Sequence, residues 1–503
     1  MRRFLVLVVA LAFAAPAAAA TISGTVRGEL LLGTRVADRI TARAGNDFVQ
    51  AAFGGVDRVD CGAGHDVVSA DASDKVAANC EIVSRRLSVD LSTNDRSQHE
   101  TAVEPDDFAW GSTVVAAYQV GRFPGGASSN IGFSVSRDAG RTWQRGLLPG
   151  VTLESSPPGT QTGASDPSVA YDAVHAVWLI STLTLEPESS HILIARSTDG
   201  LHWGAPLTAA TGPILDKEWL TCDNGASSPF HGRCYVLYTD DQKNWTVSQS
   251  TDDGGLTWST PVRATSTLVG TQPAVRPDGT LVAIAGSYVG QAALTGSIEG
   301  VRSTDGGVTF ARFTVSPFQS ASAGAMRALA LPSMEMDAAG TLYAVWDDCR
   351  FRSGCTANDL VLTSSPDGGL TWAQPARVPI APPSSSLSAF ITGLGADPAH
   401  AGHLGLVYAY YLAGSCGRGT CLLGIGFTSS VDGGATWTKA QQLDAQPMPT
   451  TWIARTNSGR MLGDYFSTTF AGGRIVPVFA LAAPPLNGRL REAIFATSLR
   501  APR

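Results

Sequence analysis

No basic run, no stripe of aromatics interleaved with Lys and Arg, and no Cys-x-x-Cys occurs in this chain. Its 503 residues carry a formal net charge of −7, so it offers nucleic acid no electrostatic footprint, and that partner class is excluded. Past residue 20 there is no apolar run long enough to cross a bilayer, which excludes a later transmembrane helix. Cysteine is scarce, eight in all, yet the eight fall into four close pairs: Cys61/Cys80, Cys222/Cys234, Cys349/Cys355 and Cys416/Cys421. An even count without metal-site spacing predicts four local disulfides, each pinning a loop. Residues 1–20 read as a secretory signal: Arg2 and Arg3, an apolar run from Phe4 to Ala14, then a small-residue site at Ala18-Ala19-Ala20. The expected location is therefore extracellular.

What the chain has in abundance is one short turn. Ser136-Arg-Asp138-Ala-Gly140-Arg-Thr142-Trp143 recurs, with small changes, around Asp199, Asp253, Asp305, Asp367 and Asp432, and the Asp199 copy is one residue short. In such a turn Asp accepts bonds from nearby backbone N–H groups, Gly takes the left-handed conformation, and Trp plugs the gap beneath. The aspartates recur every 52 to 65 positions, the length of a four-stranded unit, and two alternating runs precede each. The innermost strands are expected near Glu100–Val103, Asp166–Ala170, Lys217–Leu220, Gln272–Val275, Pro332–Met336 and Ile391–Leu394. The second strands are richer in β-branched and aromatic residues, as in Val177–Thr182 and Leu342–Trp346.

These six copies resemble the Asp-box (BNR) repeat of sialidase-like β-propellers. The resemblance implies an all-β propeller over residues 85–503, its Asp boxes structural and its ligand site at the axial funnel. Three strands after the sixth box, with Leu87–Leu91 as a fourth, give seven blades and a ring closed by both chain ends; six blades with a C-terminal extension is the alternative.

Residues 21–84 carry a second periodicity, an Asp-x-Ile/Val unit at Asp38, Asp47, Asp57, Asp66 and Asp74. It resembles a degenerate haemolysin-type (RTX) β-roll, which implies Ca²⁺ held by Asp47, Asp57 and Asp66. A metal-free β-solenoid closed by Cys61 and Cys80 is the other reading of the same unit.

Strand starts and second-strand loops bring polar residues to the funnel: Glu100, Asp166, Asp216, Lys217, Glu218, Gln272, Asp464 and Tyr465, with Arg122, Asp348, Arg350 and Arg352. Carboxylates, arginines and a tyrosine converging in a concave site suit sugar cleavage. The equally simple reading is a set of ion pairs pinning crowded strands. Asp216-Lys217-Glu218 and Asp348-Cys349-Arg350 are the densest clusters, each beside a predicted disulfide. Sialidases of this superfamily use three arginines, a tyrosine nucleophile and an aspartate acid/base. Carried over residue by residue, this implies Arg122, Arg350 and Arg460 on the substrate carboxylate, Tyr465 as nucleophile with Glu218 or Glu335 behind it, and Asp216 as acid/base. The family's Arg-Ile-Pro signature is absent; Gly121-Arg122-Phe123-Pro124 is a loose echo. The expected function is a secreted, sialidase-like glycoside hydrolase acting on an acidic sugar, with a glycan or cell-surface glycoconjugate as partner and no organic cofactor. A non-catalytic glycan- or protein-binding propeller and a polysaccharide lyase are the alternatives.

Overall fold

The computed structural model describes residues 19–186, 188–290, 294–414, 416 and 421–502, so the signal expected over residues 1–20 lies almost wholly outside the described residues. These residues are all β except for two single-turn 3₁₀ helices, Ser353–Cys355 and Thr450–Trp452. None of their helices is long and apolar enough to cross a membrane.

All four expected cysteine pairs are bonded: Cys61–Cys80, Cys222–Cys234, Cys349–Cys355 and Cys416–Cys421. The last closes a loop of only five positions, as expected of a bridge that pins a loop. Cys416 is exposed, but Cys421 is buried in the core with Leu423, Ile425 and Met448, and its carbonyl accepts Thr450 N–H at 3.1 Å. Cys421 thus opens the strand Leu422–Ser430, and the bridge ties an exposed position to that core strand.

From residue 21 to 86 the chain winds as a solenoid with two parallel sheets. Thr21–Ser23, Arg39–Thr41, Arg58–Asp60 and Lys75–Val76 stack in one; Leu30–Leu32, Phe48–Gln50, Val67–Asp71 and Ile82–Arg86 stack in the other. Successive Asp-x-Ile/Val units therefore alternate between the two sheets. The β-branched residue of each points inward, and Ile40, Val49, Val59 and Val68 are buried together with the Cys61–Cys80 bridge.

Beyond this unit, antiparallel sheets follow one another, each an up-and-down meander of neighbouring strands. Their first strands are Ala102–Trp110, Ala164–Asp172, Leu215–Cys222, Val269–Val275, Ser333–Met336, Ser388–Ala396 and Ser467–Ala471. Each first strand packs against the next, and the seventh packs against the first, so they form a closed circuit. The second strands, such as Cys234–Asp240 and Leu342–Asp348, are buried along their whole length, which explains their Val/Leu/Tyr-rich composition. The seventh sheet takes its outermost strand from the solenoid: Ser84–Arg86 pairs with Phe495–Thr497. The closing strand is thus Ile82–Arg86 rather than Leu87–Leu91, and a boundary at residue 84 falls inside a strand shared by both units.

The Asp boxes close the turns between third and fourth strands. In the Ser303–Phe310 copy Asp305 accepts from Ser303 Oγ at 2.7 Å, from Thr309 N at 2.9 Å and from Thr309 Oγ1 at 2.5 Å, while Gly307 N donates to Ser303 Oγ at 2.9 Å. The turn partly desolvates Asp305, but these bonds outweigh that and hold its carboxyl at about 2. In the short copy His202 replaces threonine, with its Nδ1 2.7 Å from Asp199 Oδ2.

Candidate functional site

Five of the seven first strands carry one residue in the left-handed region at the same place: Glu104 (φ 53°), Asp166 (φ 45°), Lys217 (φ 50°), Gly270 (φ 70°) and Ile391 (φ 50°). At each, the ladder to the second strand gains one extra residue, which is a β-bulge. Only Gly270 adopts this conformation without cost; the others store roughly 1–3 kcal/mol each, a pattern that gathers at sites of function. The bulge interrupts alternation, and in the first three sheets it delivers an acid, an acid and a lysine to one point.

At that point Lys217 Nζ lies 3.2 Å from Glu104 Oε1, 2.8 Å from Asp166 Oδ1 and 2.7 Å from Asp464 Oδ2. All three oxygens thus share one ammonium, and no two of them can be more than about 6 Å apart. Arg327 Nη2 reaches Asp464 Oδ2 at 2.6 Å from the solvent side, its side chain 27% exposed. Asp216 sits half-buried beside them, its Oδ1 accepting the Lys217 N–H at 3.0 Å. Four carboxyls therefore face two cations in a largely buried site, and their proton affinities separate. Burial and the Asp166 charge push Asp216 up to about 6 against the pull of Lys217. Burial likewise pushes Glu104 up to about 7, although Lys217 opposes it. Asp464 is as buried, yet Lys217 and Arg327 hold it below the usual carboxylate range. Lys217 itself stays charged, because the surrounding acids outweigh its desolvation. Acids split in this way can serve as proton carrier and fixed anion.

A narrow cavity lined by Trp219, Gln272, Pro332, Thr392 and Tyr465 opens beside the cluster, with about 20 Å³ open to the centre of a water molecule. That holds a water or two and no sugar ring. Deeper along the axis Asp106 is raised to about 7 by burial, and Asp107 and Glu335 are raised further, burial again the main cause.

Of the expected site residues, Asp166, Lys217, Asp216 and Asp464 meet in this cluster. Gln272 lines the cavity and also accepts Met334 N–H at 2.9 Å, joining two sheets. Glu218 is fully buried and its carboxylate has no hydrogen-bond partner from another residue among the described residues; burial raises it far above a carboxylate's usual range. Tyr465 is a poor nucleophile here: its hydroxyl donates to Pro167 O at 3.2 Å, and burial among acids raises it well above ordinary tyrosine. Its ring packs edge-on against Trp219. Arg122 is buried, donates to Phe123 O and Ala127 O, and makes no ion pair among the described residues. Glu100 is exposed and outside the cluster.

Asp348, Arg350 and Arg352 do not join them. Arg350 folds back on Asp348 at 2.6 Å, and Arg352 is buried against Asp359 at 2.6 Å, so both brace the loop that Cys349–Cys355 closes. The Cys222–Cys234 bridge lies at the far end of its strand, five residues or roughly 17 Å from Lys217, and does not stiffen the site. Neither Cys416 nor Cys421 lines the axial cavity, so that bridge is structural as well. Arg460 contributes through its backbone: its carbonyl accepts Arg327 N–H at 2.7 Å while its guanidinium donates to Ile453 O.

Sequence reasoning missed Glu104 and Arg327. Glu104 had a signal, because Glu104-Pro105 and Asp166-Pro167 are one acid–proline step at the same bulge of adjacent sheets. Arg327 lies in an irregular connection, where no periodicity marks it.

Asp47, Asp57 and Asp66 form a different structure. Each gives one oxygen to a backbone N–H one coil earlier, of Glu29 at 2.8 Å, Asp38 at 2.7 Å and Asp47 at 2.7 Å. No three acidic ligand atoms of this unit come within 4.8 Å of one another among the described residues. One oxygen of each is thereby committed to a hydrogen-bond ladder, while Oδ2 of Asp47, Asp57 and Asp66 is buried without a hydrogen-bond partner among the described residues.

A family model described as a BNR repeat-like domain matches residues 184–448, more than half of the chain. The chain belongs to that family. No curated protein sequence matches this BNR repeat-like chain significantly. Among solved structures it is similar to an ulvan lyase of a new polysaccharide-lyase family, at 11% identity over 80% of this chain and 95% of that one, TM-score 0.46. It is also similar to an α-L-arabinofuranosidase of Fusarium graminearum with arabinobiose, at 11% identity over 83% and 98%, TM-score 0.43. A Hadza microbial sialidase matches at 16% identity over 69% and 66%, TM-score 0.41.

Proposed function

We propose that this BNR repeat-like protein is an exported glycan-acting enzyme, that its seven sheets are the blades of a propeller, and that the mouth above Lys217 is its active site. The observation that carries the reading is the split among four crowded carboxyls. Asp464 stays ionised between Lys217 and Arg327, while Asp216, raised to about 6 and partly exposed, carries a proton in mildly acidic solution. In a glycoside hydrolase Asp216 would donate to the leaving oxygen, and the fixed anion would stabilise positive charge on the sugar ring. Arg327 is the cation that reaches solvent there, which favours an acidic sugar and the sialidase-like reading over a neutral one. The cavity beneath is too small for a ring, so the substrate lies across the mouth.

The test is turnover of a fluorogenic sialoside and then of a panel of acidic glycans, with Asp216→Asn compared at equal folded fraction. Loss of at least 100-fold in kcat/KM supports the assignment; activity within 3-fold of wild type overturns it. Glycan binding without turnover would favour the second reading, a binding propeller, whose supporting observation is that Lys217 already pairs three of the acids.

A further inference from the structure

The turn joining the first two strands of the sixth sheet carries a group of side chains that no part of the axial site uses. Asp397 Oδ1 accepts Ala399 N–H at 2.9 Å, and Asp397 Oδ2 lies 2.8 Å from His400 Nδ1. The His400 and His403 imidazoles stack with centroids 5.0 Å apart and planes 19° from parallel. One ligand atom from each of the three lies within 4.8 Å of the other two, the only such group of His, Cys, Asp or Glu among the described residues.

The equivalent turn of the second sheet separates what is structural from what is not. There Asp172 Oδ2 and His175 Nδ1 are 2.6 Å apart in the same i,i+3 arrangement, and Asp172 Oδ1 accepts Val174 N–H. An Asp–His contact therefore suffices to close this turn. The sixth sheet adds a second imidazole, His403, where the second sheet has Ala176 before its next strand. Turn closure does not explain that addition.

We propose that Asp397, His400 and His403 bind one late first-row transition-metal ion, with zinc the expected occupant and water filling the remaining positions. One carboxylate and two imidazoles suit zinc and its neighbours, whereas calcium and magnesium require shells of oxygen. The His400 side chain is 63% exposed, which leaves an open side for water, while Asp397 is nearly buried and fixed. The ion takes the place of the hydrogen between Asp397 Oδ2 and His400 Nδ1, and that proton leaves to solvent. Gly402 N–H donates to Asp337 Oδ2 of the fifth sheet at 2.8 Å, and Gly433 N–H of the sixth Asp-box turn donates to Gly402 O at 2.9 Å. The ion would therefore staple three turns. It lies at the opposite end of its strand from the Ile391 bulge, about 20 Å along the chain direction, and is independent of the proposed glycan site.

The test uses the full chain stripped with a chelator. Zinc chloride titrated by calorimetry at pH 7.5 should bind with one equivalent and a micromolar Kd, and should raise Tm. Cobalt(II) in its place should give a visible absorption band. His403→Asn and His400→Asn should each weaken zinc at least 10-fold and abolish the cobalt band, while His175→Asn changes neither. Metal-free melting confirms that each variant folds; should one fail to fold, the other and the cobalt spectrum decide. No stoichiometric zinc uptake by wild type, or an unchanged Kd in a folded His403→Asn, overturns the proposal.

Discussion

Replacing Lys217 with methionine, which keeps the volume and removes the charge, would leave Glu104, Asp166 and Asp464 facing one another around an apolar tip. Lys217 makes three contacts of 3.2 Å or less in a site where each partner is at most 6% exposed, so solvent screens little of the loss. Removing one partner from a buried ionic group costs about 3–5 kcal/mol, because the remaining charge is uncompensated. Unfolding entropy of about 2.1 cal/mol/K per residue, over roughly 400 residues, gives near 0.8 kcal/mol/K, so Tm should fall by about 4–6 °C at pH 8. The loss should depend on pH with a defined sign. Without the ammonium, nothing from Lys217 opposes the burial that already raises Glu104 in the folded state. Glu104 then binds a proton on folding, and the stability it permits is present in acid and lost as pH rises from about 4 upward. The gap between variant and wild type should therefore be small at pH 5 and widen to pH 8. Thermal melts followed by circular dichroism at pH 5, 6.5 and 8 read both quantities. A fall under 1 °C at pH 8, or an equal fall at pH 5 and 8, would refute the claim that Lys217 neutralises the axial acids.

Asp305→Ala removes an acceptor of several hydrogen bonds from an Asp-box turn and should cost about 1–2 kcal/mol, comparable to losing a helix cap, with activity unchanged. Because the folded Asp305 carboxyl is depressed to about 2, its contribution is complete above pH 4 and lost between pH 4 and 2; a penalty that persists at pH 2 would contradict this. The solenoid should behave in the opposite way. Burial raises Asp47 and Asp57 to about 6 and Asp74 to about 7, so its stability falls as pH climbs from about 4 to 7. Asp57→Asn should leave coil amide protection at pH 5 unchanged and increase it at pH 8, measured by hydrogen exchange corrected for intrinsic rate; lower protection at pH 8 would refute the assignment.

The features legible in the sequence were those set by local rules. The Asp-box turns, the second strands and the cysteine pairs depend on neighbours a few residues apart, and each lies where residue type and spacing put it. Spacing paired Cys421 with Cys416, but it carried no sign that Cys421 sits in the core, because burial there depends on strands far along the chain. The axial cluster was half legible. Lys217, Asp166, Asp216 and Asp464 stood out as charges at strand starts, but a bulge changes which side of a strand a residue faces, and no alternation pattern reports it. That is why Glu100 seemed to belong to the funnel and Glu104, four residues later, did not. Arg350 and Arg352 were misplaced for another reason: a charged residue two or seven positions from an aspartate can pair within its own loop, as with Asp348 and Asp359, before it reaches any shared site. The Asp-x-Ile/Val repeat gave the coil but not the use of its aspartates, since accepting a backbone N–H and binding a cation demand the same residue.

The strand shared by Ile82–Arg86 and Glu492–Thr497 has a consequence for how the molecule is made. It joins residues more than four hundred positions apart, Ser84 to Thr497, through a hydroxyl–hydroxyl contact of 2.7 Å as well as the ladder. Across a structureless span of that length the entropy of bringing the ends together would approach 5 kcal/mol. Once the intervening meanders have stacked, the two ends already lie side by side and the clasp snaps shut at little further expense. During synthesis, the early coils must therefore wait with a bare edge until Glu492–Thr497 leaves the ribosome.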